Sequence, residues 1–302
     1  MTHRPSHATV VEVGPRDGLQ NESASVETAD KVRFIDMLTA AGCPAIEVGA
    51  FVSPRWIPQM ADTSEVYAGI MKRPGTRYPA LVPNAAGLER AHDSGITEVA
   101  VFAAASDTFS RRNINKSVDE SLAIYGEVCQ RAVGLGMRVR AYVSTAFGCP
   151  FEGTVDPRRV ADVAAALRAL GAFEVAVSDT IGIAHPGQVP VVVDAVARRV
   201  PIERIALHFH DTRGTALANV LAALDMGITT FDASAGGLGG CPYAPGATGN
   251  LATEDLVYML AGLGVETGIE LTALVEASQF IESRIDHPLP SRYYRASRAH
   301  GA

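Results

Sequence analysis

Short runs of β-branched residues alternate with longer stretches rich in Ala and Leu along almost the whole chain. This alternation is typical of βα units, in which each strand of a parallel sheet is followed by a helix that covers it. The strand-like runs are eight, over residues 9–14, 45–51, 77–83, 98–104, 138–144, 173–178, 204–210 and 229–235. The alternation therefore predicts an α/β fold built on parallel strands.

The segments between these runs carry the start and stop signals of helices. Asp156 stands directly before Pro157, Gly171 follows the same helical stretch, and His185 precedes Pro186. A capping residue or Pro at the start and Gly at the end are typical of helix termini. We expect helices over residues 27–41, 118–135, 157–170, 186–199 and 215–226.

The length of the chain and the number of units favour one closed barrel. Eight βα units over about 250 residues are the usual size of a TIM (β/α)8 barrel. We predict a single catalytic domain over residues 1–302, with the barrel over about 9–265 and a small C-terminal helical extension over about 266–302. A doubly wound open sheet is the alternative fold, but it would usually show fewer units, and no G-x-G-x-x-G follows the first run.

Charge and cysteine usage limit the partners and the compartment. The formal net charge of −7 argues against a general surface for nucleic acid or for an anionic membrane. The chain has no uncharged apolar run of about eighteen residues and no secretory signal, so it is not expected to span or cross a membrane. Its four cysteines form no C-x-x-C pair, and a chain of this size does not need disulfides. We expect a cytoplasmic protein with free thiols.

Ionisable and polar residues gather where the predicted strands end. The active site of a TIM barrel lies at the carboxyl ends of its strands, and residues with unrelated structural roles should scatter over both ends. Their shared position therefore indicates a functional site. They are Arg16, Asp17 and Gln20 after the first strand, Glu47 on the second, Asp179 and Thr180 after the sixth, His208, His210 and Asp211 at the seventh, and Cys241 and Asn250 after the eighth.

His208 and His210 form the sharpest pattern in this set, because residues two apart on a strand face the same side. Two imidazoles, the Asp17 carboxylate and the Asn250 amide oxygen would make a mixed nitrogen and oxygen ligand set. Such a set suits Mg²⁺ or Mn²⁺ and leaves positions for substrate oxygens, whereas zinc would more often recruit a cysteine. The pattern alone is also compatible with two hydrogen-bonded histidines that close a buried strand.

Three of the charged residues also have purely structural interpretations. Asp17 could cap the turn that follows it, and Asp211 could cap the helix predicted from residue 215. Glu47 could form a buried ion pair with Arg16. The sequence leaves these alternatives open.

The stretch GLGGCPYAPGATGN, residues 237–250, is too rich in Gly and Pro to form the interior of a helix or strand, so it is predicted to be a loop. Cys241 lies within it. A structural cysteine is normally buried in a packed core, whereas a thiol on a partly exposed loop points to reactivity. Residue type alone does not decide between these two roles.

Five motif-like stretches follow one another along the chain: VEVGPRDGLQNE (11–22), EVGAFVSPRWIPQM (47–60), SDTIG (178–182), HFHDTRGTALAN (208–219) and GGLGGCPYAPGATGNLATEDLVYML (236–260). In this order they resemble the 3-hydroxy-3-methylglutaryl-CoA (HMG-CoA) lyase family. The Arg-Asp start and the H-x-H pattern are shared with related metal-dependent barrel lyases and Claisen-type synthases. The Gly-rich cysteine loop is more particular to the lyase.

The resemblance implies a TIM barrel that binds an acyl-CoA substrate, HMG-CoA, and cleaves it to acetoacetate and acetyl-CoA with a divalent cation, Mg²⁺ or Mn²⁺. It implies Asp17, His208, His210 and Asn250 as the metal ligands. It also implies catalytic roles for Arg16, Glu47, Asp179, His208 and Cys241. In the family the cysteine loop folds over the substrate, so Cys241 is expected to donate a proton, while the base remains open between Asp179 and His208. By analogy with similar barrels, a homodimer is expected.

Further substrate contacts are expected from Arg16, Gln20, Tyr142 and Thr180. The CoA phosphates need cations that the acidic chain as a whole does not offer. The stretch SRRNINKS, residues 110–117, follows the fourth strand and places Arg111, Arg112 and Asn113 at the same barrel end. A solvated loop without a ligand is the alternative interpretation of this stretch.

Two positions depart from the family pattern. Ala50 and Ala176 stand where the family often carries a small hydroxyl residue. The loss of these hydroxyl groups could loosen the preference for a methyl group at C3. A lyase of the same family that acts on a bulkier 3-hydroxy-3-carboxymethyl acyl-CoA is therefore one alternative. A Claisen-type acyl-CoA synthase and a catalytically silent metal-binding barrel are two others, against which the cysteine loop and the complete set of polar residues argue.

Overall fold

The computed structural model of the chain describes residues 4–240 and 248–299. Its strands are β1 (Thr9–Glu12), β2 (Ala45–Ile46), β3 (Ala80–Leu81), β4 (Glu98–Ala104), β5 (Arg138–Ser144), β6 (Glu174–Asp179), β7 (Ile205–Phe209) and β8 (Thr230–Ala233). Within the described residues they form one sheet with the order β2-β1-β8-β7-β6-β5-β4-β3, and all of the pairings are parallel.

The sheet closes on itself between β2 and β3. The backbone amide of Ile46 donates to the carbonyl of Arg77 at 2.9 Å, and the amide of Leu81 donates to the carbonyl of Gly49 at 3.0 Å. Every strand in the described part of the chain thus has a neighbour on each side, as in a closed barrel. The predicted TIM barrel is confirmed.

Helices follow each strand and cover the barrel. In the part of the chain that the structure describes they are α1 (Thr28–Ala40), α2 (Thr63–Gly69), α3 (Ala85–Asp93), α4 (Asp107–Ile114), α5 (Val118–Gly134), α6 (Pro157–Ala169), α7 (Val189–Ala197), α8 (Ala216–Leu224), α9 (Thr253–Gly262), α10 (Leu271–Glu282) and α11 (Arg292–Ala299). The helix α10 packs against α1 and α9, and α11 packs against α9. The C-terminal helices therefore join the outer layer of the barrel. None of the described helices is long and apolar enough to cross a bilayer.

The expected capping chemistry is present at α6. The Asp156 carboxylate accepts a hydrogen bond from the amide of Arg158 at 2.9 Å, and Pro157 is the first helical residue. Gly171, just beyond the helix, has φ +104°, a conformation that favours glycine. These local signals explain why the helix boundaries lie close to their predicted positions.

The structure corrects the predicted boundaries of three elements. Strands β2 and β3 have two residues each instead of seven, because the remaining contact between them consists of isolated bridges such as Ala50 to Leu81. The helix expected from residue 186 begins at Val189, since His185 and Gln188 close a turn first, with the Gln188 amide donating to the His185 carbonyl at 2.8 Å.

Two fully buried carboxylates fasten the segments that follow β1 and β8. Glu12 Oε1 accepts from the amides of Gly14 at 2.8 Å and Ala235 at 2.9 Å. Glu254 Oε2 accepts from the amide of Gly236 at 2.7 Å, and its other oxygen accepts from the Ser278 hydroxyl. Burial raises the pKa of Glu12 to about 7 and that of Glu254 to about 8.

The Glu254→Gln substitution should flatten the pH dependence of stability. The unfolded chain releases the Glu254 proton near pH 4.3, whereas the folded protein keeps it until about pH 8. Because the folded state binds more protons in between, the free energy of unfolding falls as pH rises, by at most about 1.4 kcal/mol per pH unit. Denaturant unfolding between pH 5 and 8 measures this slope, which should be shallower in the variant.

Glu276 is exposed on the same helix as Ser278, so Glu276→Gln is the matched control and should retain the wild-type slope. The same slope in Glu254→Gln and wild type would contradict the raised pKa of Glu254.

Candidate active site

Three possible metal ligands converge at the carboxyl ends of β1 and β7. Asp17, His208 and His210 each offer a ligand atom, and these atoms all lie within 4.8 Å of one another. Asn250 lies beside them, with its Nδ2 donating to Asp17 Oδ2 at 3.0 Å. The structure therefore brings together the four residues that the resemblance implies as ligands.

Local backbone geometry places these side chains. Successive side chains along β7 point to opposite faces of the sheet. His208 and His210 therefore face the barrel interior, and the apolar Phe209 between them lies in the core. Asp17 lies in a tight helical turn over Gly14–Gly18, whose amides at Asp17 and Gly18 both donate to the Val13 carbonyl. The turn directs Asp17 back over the barrel mouth.

Glycines allow the segment after β8 to approach the Asp17 turn. Gly239 has φ +100°, and a Cβ atom there would lie 2.9 Å from the Cα of Gly18 and 3.0 Å from Asn250 Nδ2. A Cβ atom on Gly249 would lie 2.4 Å from the carbonyl oxygen of Gly239. Larger residues at either position would push Asn250 away from Asp17.

Arg16 is a buried cation between two carboxylates. Its Nε donates to Glu47 Oε2 and its Nη1 to Asp17 Oδ1, each at 2.5 Å. Burial alone would lower the pKa of Arg16, but the two carboxylates outweigh it and raise the pKa. The buried ion pair between Arg16 and Glu47, one of the structural alternatives, is therefore present.

The protonation states suit a ligand role. Burial favours the neutral form of Asp17, but Arg16 and the two histidines outweigh it and lower its pKa to about 2. Burial, together with His208, lowers the pKa of His210 to about 4. An ionised carboxylate and a neutral imidazole are the forms that bind metal ions.

Several buried polar atoms at the site find no hydrogen-bond partner among the described residues. They are Gln20 Oε1, Glu47 Oε1, His210 Nδ1 and Asn250 Oδ1. Buried polar groups are normally paired, and two of these atoms, His210 Nδ1 and Asn250 Oδ1, belong to candidate ligands and have no partner among the described residues. These atoms fit a bound divalent cation.

A second layer of charged residues, which the sequence analysis missed, lies inside the barrel. Arg140 Nη2 donates to Asp232 Oδ1 at 2.7 Å and its Nε to Glu174 Oε1 at 2.7 Å. Asp232 Oδ2 lies 3.2 Å from His208 Nδ1. Strands of a parallel barrel are usually apolar throughout, so the charged residues within β5, β6 and β8 were the available signal.

The charge of this interior also favours a cation. Arg16 and Arg140 are the guanidinium groups that the structure places within it, and they face the carboxylates of Asp17, Glu47, Glu174 and Asp232. At the mouth itself the carboxylates of Asp17 and Glu47 outnumber the Arg16 guanidinium, so these three groups carry a net charge of −1 when all are ionised. A cation would compensate this charge.

The side chains of the remaining barrel residues are already engaged. Both oxygens of Asp179 accept from backbone amides, of Ile183 and of Ala184, at 3.0 Å, and burial raises the Asp179 pKa to about 6. The Thr180 hydroxyl accepts from the amide of Thr145 at 2.8 Å. The Tyr142 hydroxyl accepts from Arg140 Nη1 at 2.8 Å and lies 3.4 Å from Glu47 Oε2. These side chains therefore brace the loops and the network.

Asp211 caps a helix, as its structural interpretation predicted. Its Oδ1 accepts from the amide of Ala216, the first residue of α8, at 2.9 Å. The carboxylate is thus directed at the helix, away from the group formed by Asp17 and the two histidines. Cys241 lies outside the described residues.

The stretch expected to be a loop over residues 110–117 is largely helical, since α4 includes residues 110–114. Ser106 caps this helix through the amide of Phe109. Arg111 pairs with Asp107 at 2.7 Å, Arg112 lies 4.2 Å from the centre of the Phe151 ring, and Asn113 is exposed. Both guanidinium groups are thus at the surface near the barrel mouth.

An eight-stranded barrel that gathers two histidines, an aspartate and an asparagine at its mouth has the architecture of the TIM-barrel enzymes, whose active sites lie at this end. The sequence model of the HMGL-like family matches residues 7–281. The chain belongs to this family, and its resemblance to the HMG-CoA lyases is confirmed.

Individual relatives cover almost the whole chain. The 3-hydroxy-3-isohexenylglutaryl-CoA/hydroxymethylglutaryl-CoA lyase of Pseudomonas aeruginosa is 55% identical over 277 residues, 92% of each chain. The crystal structure of a hydroxymethylglutaryl-CoA lyase from the same species has a TM-score of 0.97 at 53% identity and covers 98% of this chain and 99% of that one. The structure of an A. baumannii HMG-CoA lyase with coenzyme A and 3-methylmalate has a TM-score of 0.92 at 40% identity, covering 98% and 97%.

Adding Mn²⁺ to chelator-stripped protein should raise the Tm of the protein, because a ligand that binds only the folded state stabilises that state. At a ligand concentration of a hundred times Kd, the free energy of unfolding rises by about 2.7 kcal/mol. Asp17→Asn removes the carboxylate of the candidate ligand group and should lose most of this gain. Calorimetry of each variant with and without Mn²⁺ separates the effect from any change in intrinsic stability.

A second group of possible ligands, Glu22, Asp286 and His287, provides the control. His287→Gln disrupts that group and should retain the Mn²⁺ response of the wild type. A full response in Asp17→Asn would argue against the proposed location of the cation.

Proposed function

We propose that this protein is a carbon-carbon lyase that cleaves HMG-CoA to acetoacetate and acetyl-CoA with a divalent cation, Mg²⁺ or Mn²⁺. The observation that carries the proposal is the convergence of Asp17, His208 and His210 within one ligand-sized space at the barrel mouth. The reaction removes the proton of the C3 hydroxyl, breaks the bond between C2 and C3, and protonates the acetyl-CoA enolate that leaves. The active site must therefore stabilise negative charge on the C3 oxygen, on one side of the broken bond, and on the acetyl-CoA enolate, on the other side.

Asp17, His208, His210 and Asn250 would hold the cation, in keeping with the unpaired acceptors of His210 and Asn250 and the carboxylate of Asp17. A bound divalent cation supplies Lewis acidity, which lowers the pKa of the substrate's C3 hydroxyl. We propose that His208 or Asp179 assists removal of that proton. Asp179 supports this step by fixing the loop after β6, since its oxygens accept from the amides of Ile183 and Ala184.

Arg16 is the group proposed to stabilise the enolate oxygen of the departing thioester. Its charge is permanent, and Glu47 and Asp17 hold its orientation from two sides. A preorganised cation in a buried site stabilises developing negative charge without reorganising. Glu47 is thereby proposed to act through Arg16, and Gln20, Tyr142 and Thr180 to line the acyl pocket.

Cys241 is proposed to protonate the acetyl-CoA carbanion. Its position in the sequence follows Gly239 and Gly240, directly after the segment that contacts the Asp17 turn. A thiol near the leaving carbon would complete the proton balance of the reaction, because the C3 hydroxyl loses one proton and the carbanion gains one.

The CoA moiety is proposed to lie along α4, where Arg111 and Arg112 offer exposed cations and Asn113 an amide donor. The related A. baumannii lyase was solved with coenzyme A, which supports an acyl-CoA as substrate class. We also propose a homodimer and a cytoplasmic location for this chain.

A bulkier acyl group is the second candidate substrate. The name of the Pseudomonas aeruginosa relative includes 3-hydroxy-3-isohexenylglutaryl-CoA, which carries a longer C3 substituent. Ala50 and Ala176 are both buried and bring no side-chain hydroxyl to the barrel. The Thr63 hydroxyl accepts from the Ala50 amide at 3.2 Å and donates to the Ala50 carbonyl at 3.1 Å.

Chelator-stripped protein should release acetoacetate from HMG-CoA only after Mg²⁺ or Mn²⁺ is restored. In the same assay Cys241→Ala should bind the metal normally but turn over at least about 100-fold more slowly, the lower range for lost acid catalysis. Acetoacetate release and isothermal titration with Mn²⁺ measure the two properties separately.

Metal-dependent release from the isohexenyl analogue alone would favour the bulkier substrate. Absence of cleavage of either thioester, in protein that binds Mn²⁺, would refute the lyase proposal, and undiminished turnover in Cys241→Ala would refute the role of the thiol.

The proposed CoA contact predicts that Arg111→Glu raises KM for HMG-CoA about three- to tenfold and leaves Mn²⁺ affinity unchanged. The substitution removes the attraction between the Arg111 guanidinium and the CoA phosphates and introduces a carboxylate that repels them. Salt screens both interactions, so the increase in KM should be smaller at high ionic strength. Initial rates at low and high ionic strength measure the effect.

Arg131 is the matched control, because it is exposed and pairs with Glu89 at 2.6 Å, as Arg111 pairs with Asp107. It lies near the carboxyl end of α5, at the opposite end of the barrel from the proposed CoA contact. Arg131→Glu should leave KM as in the wild type. An equal increase in both variants would mean that net charge, and not a contact on α4, determines KM.

A further inference from the structure

We propose that Asp232, held in place by Arg140, is a positioning residue that fixes the tautomer and the ring orientation of His208, so that Nε2 is presented to the cation. This inference rests on the proposed function in one respect, the assignment of His208 as a metal ligand. It adds two residues, Asp232 and Arg140, that lie outside the ligand set.

The hydrogen bond between the two side chains determines which nitrogen is free. Asp232 Oδ2 lies 3.2 Å from His208 Nδ1, and both side chains are buried. An ionised carboxylate can only accept, so Nδ1 must carry the proton. The lone pair of the neutral ring is then on Nε2, which is the nitrogen left for a ligand.

Asp232 is itself held rigidly in the ionised form. Arg140 donates to both of its oxygens, from Nη2 at 2.7 Å and from Nη1 at 3.2 Å. Such a two-point contact fixes the plane of the carboxylate as well as its position. Arg140 is fully buried and cannot change partner without leaving a charge unpaired.

Glu174 shows what a purely structural partner of Arg140 looks like. It accepts from Arg140 Nε at 2.7 Å, as Asp232 accepts from the other side of the guanidinium. The described contacts of Glu174 include none with His208 or with the group around Asp17. The two carboxylates therefore share one cation but differ in their access to the metal site.

The test compares Asp232→Asn with Glu174→Gln. The side-chain amide that the first substitution introduces can donate to His208 Nδ1 and so favour the tautomer that carries its proton on Nε2, facing the cation. Isothermal titration of chelator-stripped protein should show Mn²⁺ affinity reduced about 10- to 100-fold, the usual cost of losing such a partner. Glu174→Gln keeps an acceptor for Arg140 and should bind Mn²⁺ within about threefold of the wild type.

A second measurement needs no substitution at Asp232. In ¹⁵N-histidine NMR of the metal-free wild type at pH 8, His208 should show a protonated Nδ1 and an unprotonated Nε2. The His208→Gln spectrum assigns the signal by its absence. This result remains available if Asp232→Asn fails to fold.

Wild-type Mn²⁺ affinity in Asp232→Asn, or the opposite tautomer in the wild type, would overturn the positioning role. Wild-type protein that binds Mn²⁺ but cleaves no HMG-CoA would overturn the proposed function and leave the positioning role intact. Wild-type protein that binds no Mn²⁺ would overturn both.

Discussion

Arg16 is a permanent cation buried at the mouth of the barrel, and the site is organised around its compensation. Moving such a charge out of water costs several kcal/mol, and it is tolerated only with well-placed opposite charges. Glu47 from the end of β2 and Asp17 from the turn after β1 supply them at 2.5 Å. The Arg16 side chain therefore fixes Asp17, a proposed metal ligand, relative to the barrel wall.

A chain of hydrogen bonds between buried side chains runs through the barrel interior from Glu47 to the other side of the site. Glu47 Oε2 lies 3.4 Å from the Tyr142 hydroxyl, which accepts from Arg140. Arg140 holds Asp232, and Asp232 contacts His208. Both ends of this chain of contacts reach the candidate metal site. A buried polar network of this kind specifies one arrangement, because any other would leave charges unpaired.

Much of the fold and part of the site could be predicted from local patterns. The alternation of strand-like and helical runs led to the barrel, and the spacing of His208 and His210 placed both rings on one face. The network behind them was missed because Arg140, Glu174 and Asp232 lie within the strands, whereas functional residues were sought at the carboxyl ends of the predicted strands. Strands β2 and β3 were overestimated because apolar runs do not show where ladder pairing gives way to isolated bridges.

The sequence by itself determined the barrel and the set of polar residues at its mouth, since the periodicity of strands and helices and the ends of strands are local properties. Only the tertiary structure decided which charge meets which. Arg16 and Glu47 are 31 residues apart, and Arg140 and Asp232 are 92 apart. Such pairs form when the barrel closes, because burial then removes water as a partner and leaves each ion dependent on the groups that the neighbouring strands bring into reach.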